Sequence, residues 1–214
     1  MDLLIFIAGT PIESACRCFE AISQWLFSSE KCRVMMKLRI PAPVTLIVGA
    51  IYGEQDRFEE ARNLSEQAFG PVDLVSEEFQ FDYTDYYEKE MGAGLKRIFM
   101  AFKKLLPREH LVDAKLETIR IEAGLCRAPG RRTVNLDPGY LALSKLVLAT
   151  TKGYSHRLYL GGGVYGDVHL IIKDGKFEAL PWTYPDYKSH GYQSFFLQLR
   201  TQYSEKLKKI REEL

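Results

Sequence analysis

Lys96-Arg-Ile-Phe-Met-Ala-Phe-Lys-Lys-Leu-Leu106 is the stretch on which the fold turns. Leu95, Ile98, Phe99, Phe102, Leu105 and Leu106 recur at helical spacing, while Ile98, Met100 and Phe102 alternate as a strand does over a shorter span. Both periods fit. The segments upstream are plainer. Pro43-Val-Thr-Leu-Ile-Val-Gly-Ala-Ile-Tyr52 is rich in β-branched residues and nearly continuously apolar, the pattern of a strand buried on both faces. Glu54–Phe69 places Phe58, Ala61, Leu64 and Ala68 at helical spacing and stops at Gly70-Pro71. Val72–Asp82 returns as a strand, with Val72 and Leu74, and later Phe79 and Phe81, in step.

Downstream, His110–Glu122 reads as a helix closed by Gly124. Thr133–Leu136 is a brief strand, Asp137-Pro138-Gly139 a turn, and Leu141–Lys152 fits a helix. His156–Leu160 and Asp167–Ile172 pair as a hairpin across the intervening glycines, and Asp174-Gly175 turns the chain into Lys176–Leu180. Tyr192, Phe195, Phe196, Leu199, Tyr203, Leu207 and Ile210 share one face of a terminal helix. With Lys96–Leu106 taken as a strand, residues 43–136 run β-α-β-β-α-β, the split ferredoxin-like order. The expectation is an α+β domain: a ferredoxin-like core extended by an additional helix, an antiparallel hairpin and a C-terminal helix.

The net charge of +1 over 214 residues disfavours nucleic-acid binding driven by phosphate contacts, which normally calls for a basic excess. A polybasic membrane-surface patch is disfavoured for the same reason. No window approaches the ~18 apolar residues of a membrane span. Cys16, Cys18 and Cys32 lie near the start, with Cys126 alone elsewhere. Cys-Arg-Cys lacks the two-residue spacer of a zinc or redox pair, so free thiols in the cytoplasm are expected. Residues 1–34 begin with an apolar run too short for most signal peptides, and Asp2 replaces the usual positive region. Met35-Met36-Lys37 resembles a translation start directly before the first strand. Residues 1–34 are therefore expected to be a poorly ordered upstream extension, and residues 36–214 a single domain.

Four segments together resemble one family. They are Phe79-Gln-Phe-Asp-Tyr-Thr-Asp-Tyr-Tyr-Glu-Lys-Glu-Met-Gly92, Asn135-Leu-Asp-Pro-Gly-Tyr-Leu141, Ser144–Leu160 and Leu180-Pro-Trp-Thr-Tyr-Pro-Asp-Tyr187. In their order they resemble the bacterial family of unknown function DUF4416, over roughly Pro43 to Tyr203. The resemblance implies chain boundaries and no activity.

Lys145, Lys152, His156 and Arg157 form the anion-binding candidate. On a helix over 141–152, Lys145 and Lys152 share a face. Arg157 can fork two hydrogen bonds onto a phosphate or carboxylate, and His156 can donate or act as acid or base near neutral pH. Asp137 would serve as acid, base or orienter. The plainer reading has solvated lysines, with His156 and Arg157 tied to neighbouring carboxylates. Asp82, Asp85 and Tyr140 add polar groups if they converge, although Asp82 and Asp85 equally suit a turn. Trp182 and Tyr184, just before Pro185, offer rings for a base or sugar, or else plug the sheet edge. Gly161-Gly-Gly-Val-Tyr-Gly166 matches G-x-G-x-x-G but lies between two strands, which makes it a hairpin turn. His156 and His169 lack the further ligands of a zinc site, so no metal is expected, and no cofactor is indicated. These residues point to a domain binding a small anionic ligand, phosphorylated or nucleotide-like, with enzymatic action left open. The rivals are an RNA-binding accessory protein stacking bases on the sheet, and a protein–protein module presenting Tyr192, Phe196 and Tyr203.

Overall fold

All nine residues of β1 (Val44–Tyr52) are buried, so both faces of this strand are covered. The computed structural model describes residues 40–212, and the extension expected over residues 1–34 lies outside them. After β1 come α1 (Gln55–Phe69), β2 (Val72–Val75), β3 (Phe79–Gln80), α2 (Glu88–Met91), β4 (Lys96–Leu106) and α3 (Leu111–Leu125). β5 (Val134–Ala142), β6 (Lys145–Thr150), β7 (Leu158–Gly161), β8 (Val164–Lys173), β9 (Lys176–Ala179) and α4 (His190–Glu212) complete the order. Among the described residues the protein is thus α+β, with nine strands in one antiparallel sheet ordered β2-β4-β1-β5-β6-β8-β7. β3 adds to β4 and β9 to β8. No helix among the described residues is long and apolar enough to cross a membrane.

The ambiguous stretch is a strand. Ile98 to Phe102 are buried without a gap, and five consecutive apolar residues leave a helix no polar face to turn outward. Even-numbered residues of β1, namely Leu46, Val48, Ala50 and Tyr52, join Met100 and Phe102 beneath α1 and α3. On the opposite face Ile47, Phe99, Ala101 and Leu148 pack against α4 and the turn at Tyr187. Phe99 centres this layer, with the rings of Tyr187, Tyr192, Phe195 and Phe196 all within 6 Å of its own. Tyr192, Phe196 and Tyr203 are each buried in the chain's own core, so α4 does not present them to a partner.

Two sequence expectations fail between residues 134 and 152. The helix over 141–152 is strand β6, returned from β5 by a two-residue turn at Leu143-Ser144. Its apolar run, Leu146 to Ala149, is buried throughout, and periodicity cannot separate such a run from a buried helix. Nor do Asp137-Pro138-Gly139 make a turn: β5 runs straight through them, with Pro138 opposite Val48 of β1. The β6 ladder begins only at Gly139, where a Cβ would stand 2.5 Å from the Val147 carbonyl oxygen. Gly161, Gly162 and Gly163 do form the β7–β8 turn, each with positive φ.

Beyond β6, buried Asp167 of β8 organises polar groups. Arg157 Nε donates to its Oδ2 at 2.9 Å, Nη1 donates to the Lys152 carbonyl oxygen and Nη2 to the Tyr184 hydroxyl. His169 Nε2 accepts from the Tyr184 N–H, which places its proton on Nδ1, 3.6 Å from Asp167 Oδ1. This cluster ties β8, the 152–157 loop and the turn before α4 together. Burial pushes the Asp167 carboxyl up, yet His169 and Arg157 outweigh it and hold the group below the ordinary carboxylate range.

Phe99→Ala is expected to cost about 3–5 kcal/mol in urea unfolding, since it empties the centre of an aromatic layer. For Asp167 the folded pKa is depressed, so its contribution is present above the unfolded value of about 3.9 and is lost as pH falls through the folded value. Asp167→Asn should therefore cost about 3–5 kcal/mol at pH 7 by stranding buried Arg157. The gap from wild type should narrow in urea titrations below about pH 4; a gap independent of pH would contradict this account.

Candidate functional site

β5 and β6 part at Pro138, and a cavity of about 560 Å³ fills the gap. The parting has a chemical cause. Peptide groups alternate along a strand, so Leu136, Pro138 and Tyr140 all aim the same way, toward β6. Pro138 has no N–H to offer there. One step earlier, Leu136 directs both its peptide groups into the gap, and α3 supplies the partners. Glu122 Oε1 accepts from the Leu136 N–H at 2.6 Å, and Lys115 Nζ donates to the Leu136 carbonyl oxygen at 3.1 Å. Two side chains seven residues apart on one helix face thereby replace the missing strand. Burial holds the Glu122 carboxyl above its ordinary range despite Lys115 and the Leu136 N–H.

Arg97 enters from the other face of the sheet. It lies on β4 opposite Ile51, only 3% exposed, with Phe81, Phe99 and Tyr187 rings 5.1 to 5.9 Å from its guanidinium carbon. To reach Asp137 on β5 its guanidinium must cross β1, and Gly49 leaves the space: a Cβ there would stand 2.7 Å from Nη1. Nη1 lies 3.5 Å from Asp137 Oδ2, and Nη2 lies 3.6 Å from Asp186 Oδ2. Neither distance is a hydrogen bond. Nε and Nη1 have no hydrogen-bond partner at all. Burial opposes the charge on Arg97, but Tyr187, Asp186 and Asp137 outweigh it. For Asp186 burial prevails over Arg97 and His169, so its carboxyl sits above the ordinary range.

Around these groups, Asp137 Oδ2 accepts from Asn135 Nδ2 at 2.8 Å, and Asp137 Oδ1 faces Lys115 Nζ at 3.8 Å. Arg132 is occupied by a two-pronged pair with Glu90 at 2.6 and 3.3 Å and by Asn135. At the mouth stand Tyr83, Tyr86 and Tyr184, with Tyr86 52% exposed and Lys152 Nζ 4.4 Å from its ring centre. Tyr184 accepts from Arg157, which leaves its own hydroxyl proton to donate.

The structure brings Asp137, Lys152 and Tyr184 into this cavity. Arg157 lies behind the wall, each of its three nitrogens engaged. His156 is stacked on Trp182, with its Nε2 3.5 Å from Asp167, and the Trp182 N–H donates to the Val168 carbonyl oxygen. Lys145 sits at the opposite end of β6 from Lys152, so no helix face joins them. Tyr140 packs beside Leu111 and Val147 in a separate cluster, and Asp82 and Asp85 are exposed outside the cavity. Among the described residues no group of three His, Cys, Asp or Glu side chains could hold a metal ion.

Arg97, Lys115, Glu122 and Asp186 were not singled out from the sequence, although the first three left a mark. Arg97 precedes the apolar run of β4, and Lys115 and Glu122 lie on the α3 face that carries Leu111, Ala114, Thr118 and Ile121. A charge on a buried face needs a partner.

Neither a curated protein nor a solved structure matches the chain. A family model, the domain of unknown function DUF4416, matches residues 42–203, which include every cavity residue named above. The chain belongs to the DUF4416 family.

Proposed function

We propose that the cavity between β5 and β6 binds a small ligand through an anionic group, seated on Arg97. The observation that carries this reading is the buried guanidinium on the cavity wall with Nε and Nη1 unpartnered. A buried donor without a partner costs about 1–3 kcal/mol, a cost that ligand oxygens would remove. Lys115, with donors beyond its single bond to Leu136, and Lys152 at the mouth add positive charge on the ligand's path. Tyr83, Tyr86 and Tyr184 offer rings for an apolar or planar part of the same molecule. The volume is typical of small-molecule sites. In this reading Asp137 orients the ligand, while Arg157 and His156 hold the wall.

Two coarser expectations travel with the proposal. The order β5-β1-β4-β2, with α1 and α3 on one face, supports a ferredoxin-like reading of the first half. The free thiol of Cys126 supports a cytoplasmic setting.

A thermal-shift panel of carboxylates, phosphorylated metabolites and nucleotides on the full chain tests the site. A ligand at a hundred times its Kd adds about 2.7 kcal/mol, on the order of 5–10 °C for a domain of this size. Arg97→Lys keeps the charge and removes the fork, so the affinity of any hit should fall at least about tenfold. Lys145→Ala, at the far end of β6, should leave it unchanged. A hit indifferent to Arg97→Lys would contradict the assignment.

A further inference from the structure

The cavity's charges are balanced rather than basic. Arg132 is matched by Glu90, Lys115 by Glu122 and Asp137, and Arg97 by Asp137 and Asp186. A site for a multiply charged phosphate normally carries a positive surplus or a cradle of backbone N–H groups. Here a carboxylate stands beside the cation with open donors. Arg97 Nη1 and Asp137 Oδ2 are 3.5 Å apart. Asp137, with 27% of its side chain exposed on the cavity wall, keeps acceptor capacity on Oδ1, whose nearest cation is Lys115 at 3.8 Å.

Resting on the reading of Arg97 as an anion seat, we infer that the ligand is an α-amino acid or a close α-amino carboxylate. In such a molecule the ammonium nitrogen and the nearer carboxylate oxygen are about 3 Å apart, fixed by bond lengths and angles. That spacing is close to the 3.5 Å between Arg97 Nη1 and the Asp137 carboxylate. A carboxylate oxygen takes Nη1 of Arg97, the open donor beside Asp137; the ammonium takes Asp137 Oδ1. Such a ligand brings both signs and leaves the wall's charge balance intact, whereas an anion alone would carry the repulsion of Asp137 and Asp186 with no positive group of its own to offset it. The ligand's side chain then points to the mouth, where Tyr86 and Tyr184 present exposed rings and Ile119 and Ala149 an apolar flank. That lining favours an aromatic or large apolar side chain over a charged one.

Calorimetric titration of the full chain with the twenty common α-amino acids tests the inference, each hit being repeated with its N-acetyl derivative. N-acetylation keeps the carboxylate and removes the ammonium charge. The free amino acid should bind about tenfold to a hundredfold more tightly, the usual worth of a hydrogen bond to a charged group. Asp137→Asn should bring that ratio close to one while the N-acetyl compound still binds, which also certifies the variant's fold. The wild-type comparison stands alone if Asp137→Asn does not fold. Equal affinity of the free and acetylated forms, or binding of phosphates and nucleotides only, overturns the amino-acid assignment and leaves the anion seat at Arg97 standing. Absence of binding by every anion tried removes both.

Discussion

One proline determines where this sheet opens. Pro138 lies in the middle of a straight strand with its nitrogen toward the neighbouring strand, and the β5–β6 ladder stops there for want of a donor. A sheet interrupted in its interior would ordinarily strand peptide groups away from water, at about 1–3 kcal/mol each. The chain meets this with Lys115 and Glu122, which reach from α3 and satisfy both peptide groups of Leu136. The gap is therefore a built feature, held open by two charged side chains whose other contacts face the cavity. Without it α3 would close over a continuous sheet, and the groups from its two faces would not meet.

Arg97 is the complementary half of that arrangement. A buried guanidinium loses its hydration, and ion pairs at 3.5 and 3.6 Å return only part of it. The flanking rings of Phe81, Phe99 and Tyr187 recover some through cation–π attraction. Room for the side chain to pass over β1 exists because residue 49 is glycine. The same aromatic layer packs α4 to the sheet, so the guanidinium and the core beneath it share one set of rings. Stability and the proposed site are thus coupled: the Tyr187 ring both packs against Phe99 and borders Arg97.

Where local chemistry and burial agreed, the sequence was readable. β1 shows as a run of branched residues, α1 ends where Gly70-Pro71 permits nothing else, and the apolar stripe of α4 is buried from Tyr192 to Leu207, with Ile210 exposed. The glycines at 161–163 read correctly as a turn because a dinucleotide loop must open a helix. Two local signals misled. Asp-Pro-Gly is turn chemistry in isolation, and the pairing of β5 with β1 overrides it. Leu141 to Lys152 holds an unbroken apolar run, Leu146 to Ala149, that fits either period, and only its partners, β5 and β8, make it a strand. Of the site, Asp137, Lys152 and Tyr184 were legible as polar residues amid Gly, Pro and Tyr. Arg157 was legible too, but its role in the wall depends on Asp167, which spacing alone does not bring to it. Arg97, Lys115 and Glu122 needed a different question: which charges lie on apolar faces.

The most direct test of the open sheet with its anion seat is anomalous diffraction from a crystal of the full chain soaked in 4-bromobenzoate, which carries one carboxylate and a planar ring. The account predicts a bromine peak in the β5–β6 gap, with a carboxylate oxygen within hydrogen-bond distance of Arg97 Nη1. A gap closed by continued β5–β6 pairing, or an open gap with Arg97 fully bonded to protein groups and the bromine elsewhere, would contradict it.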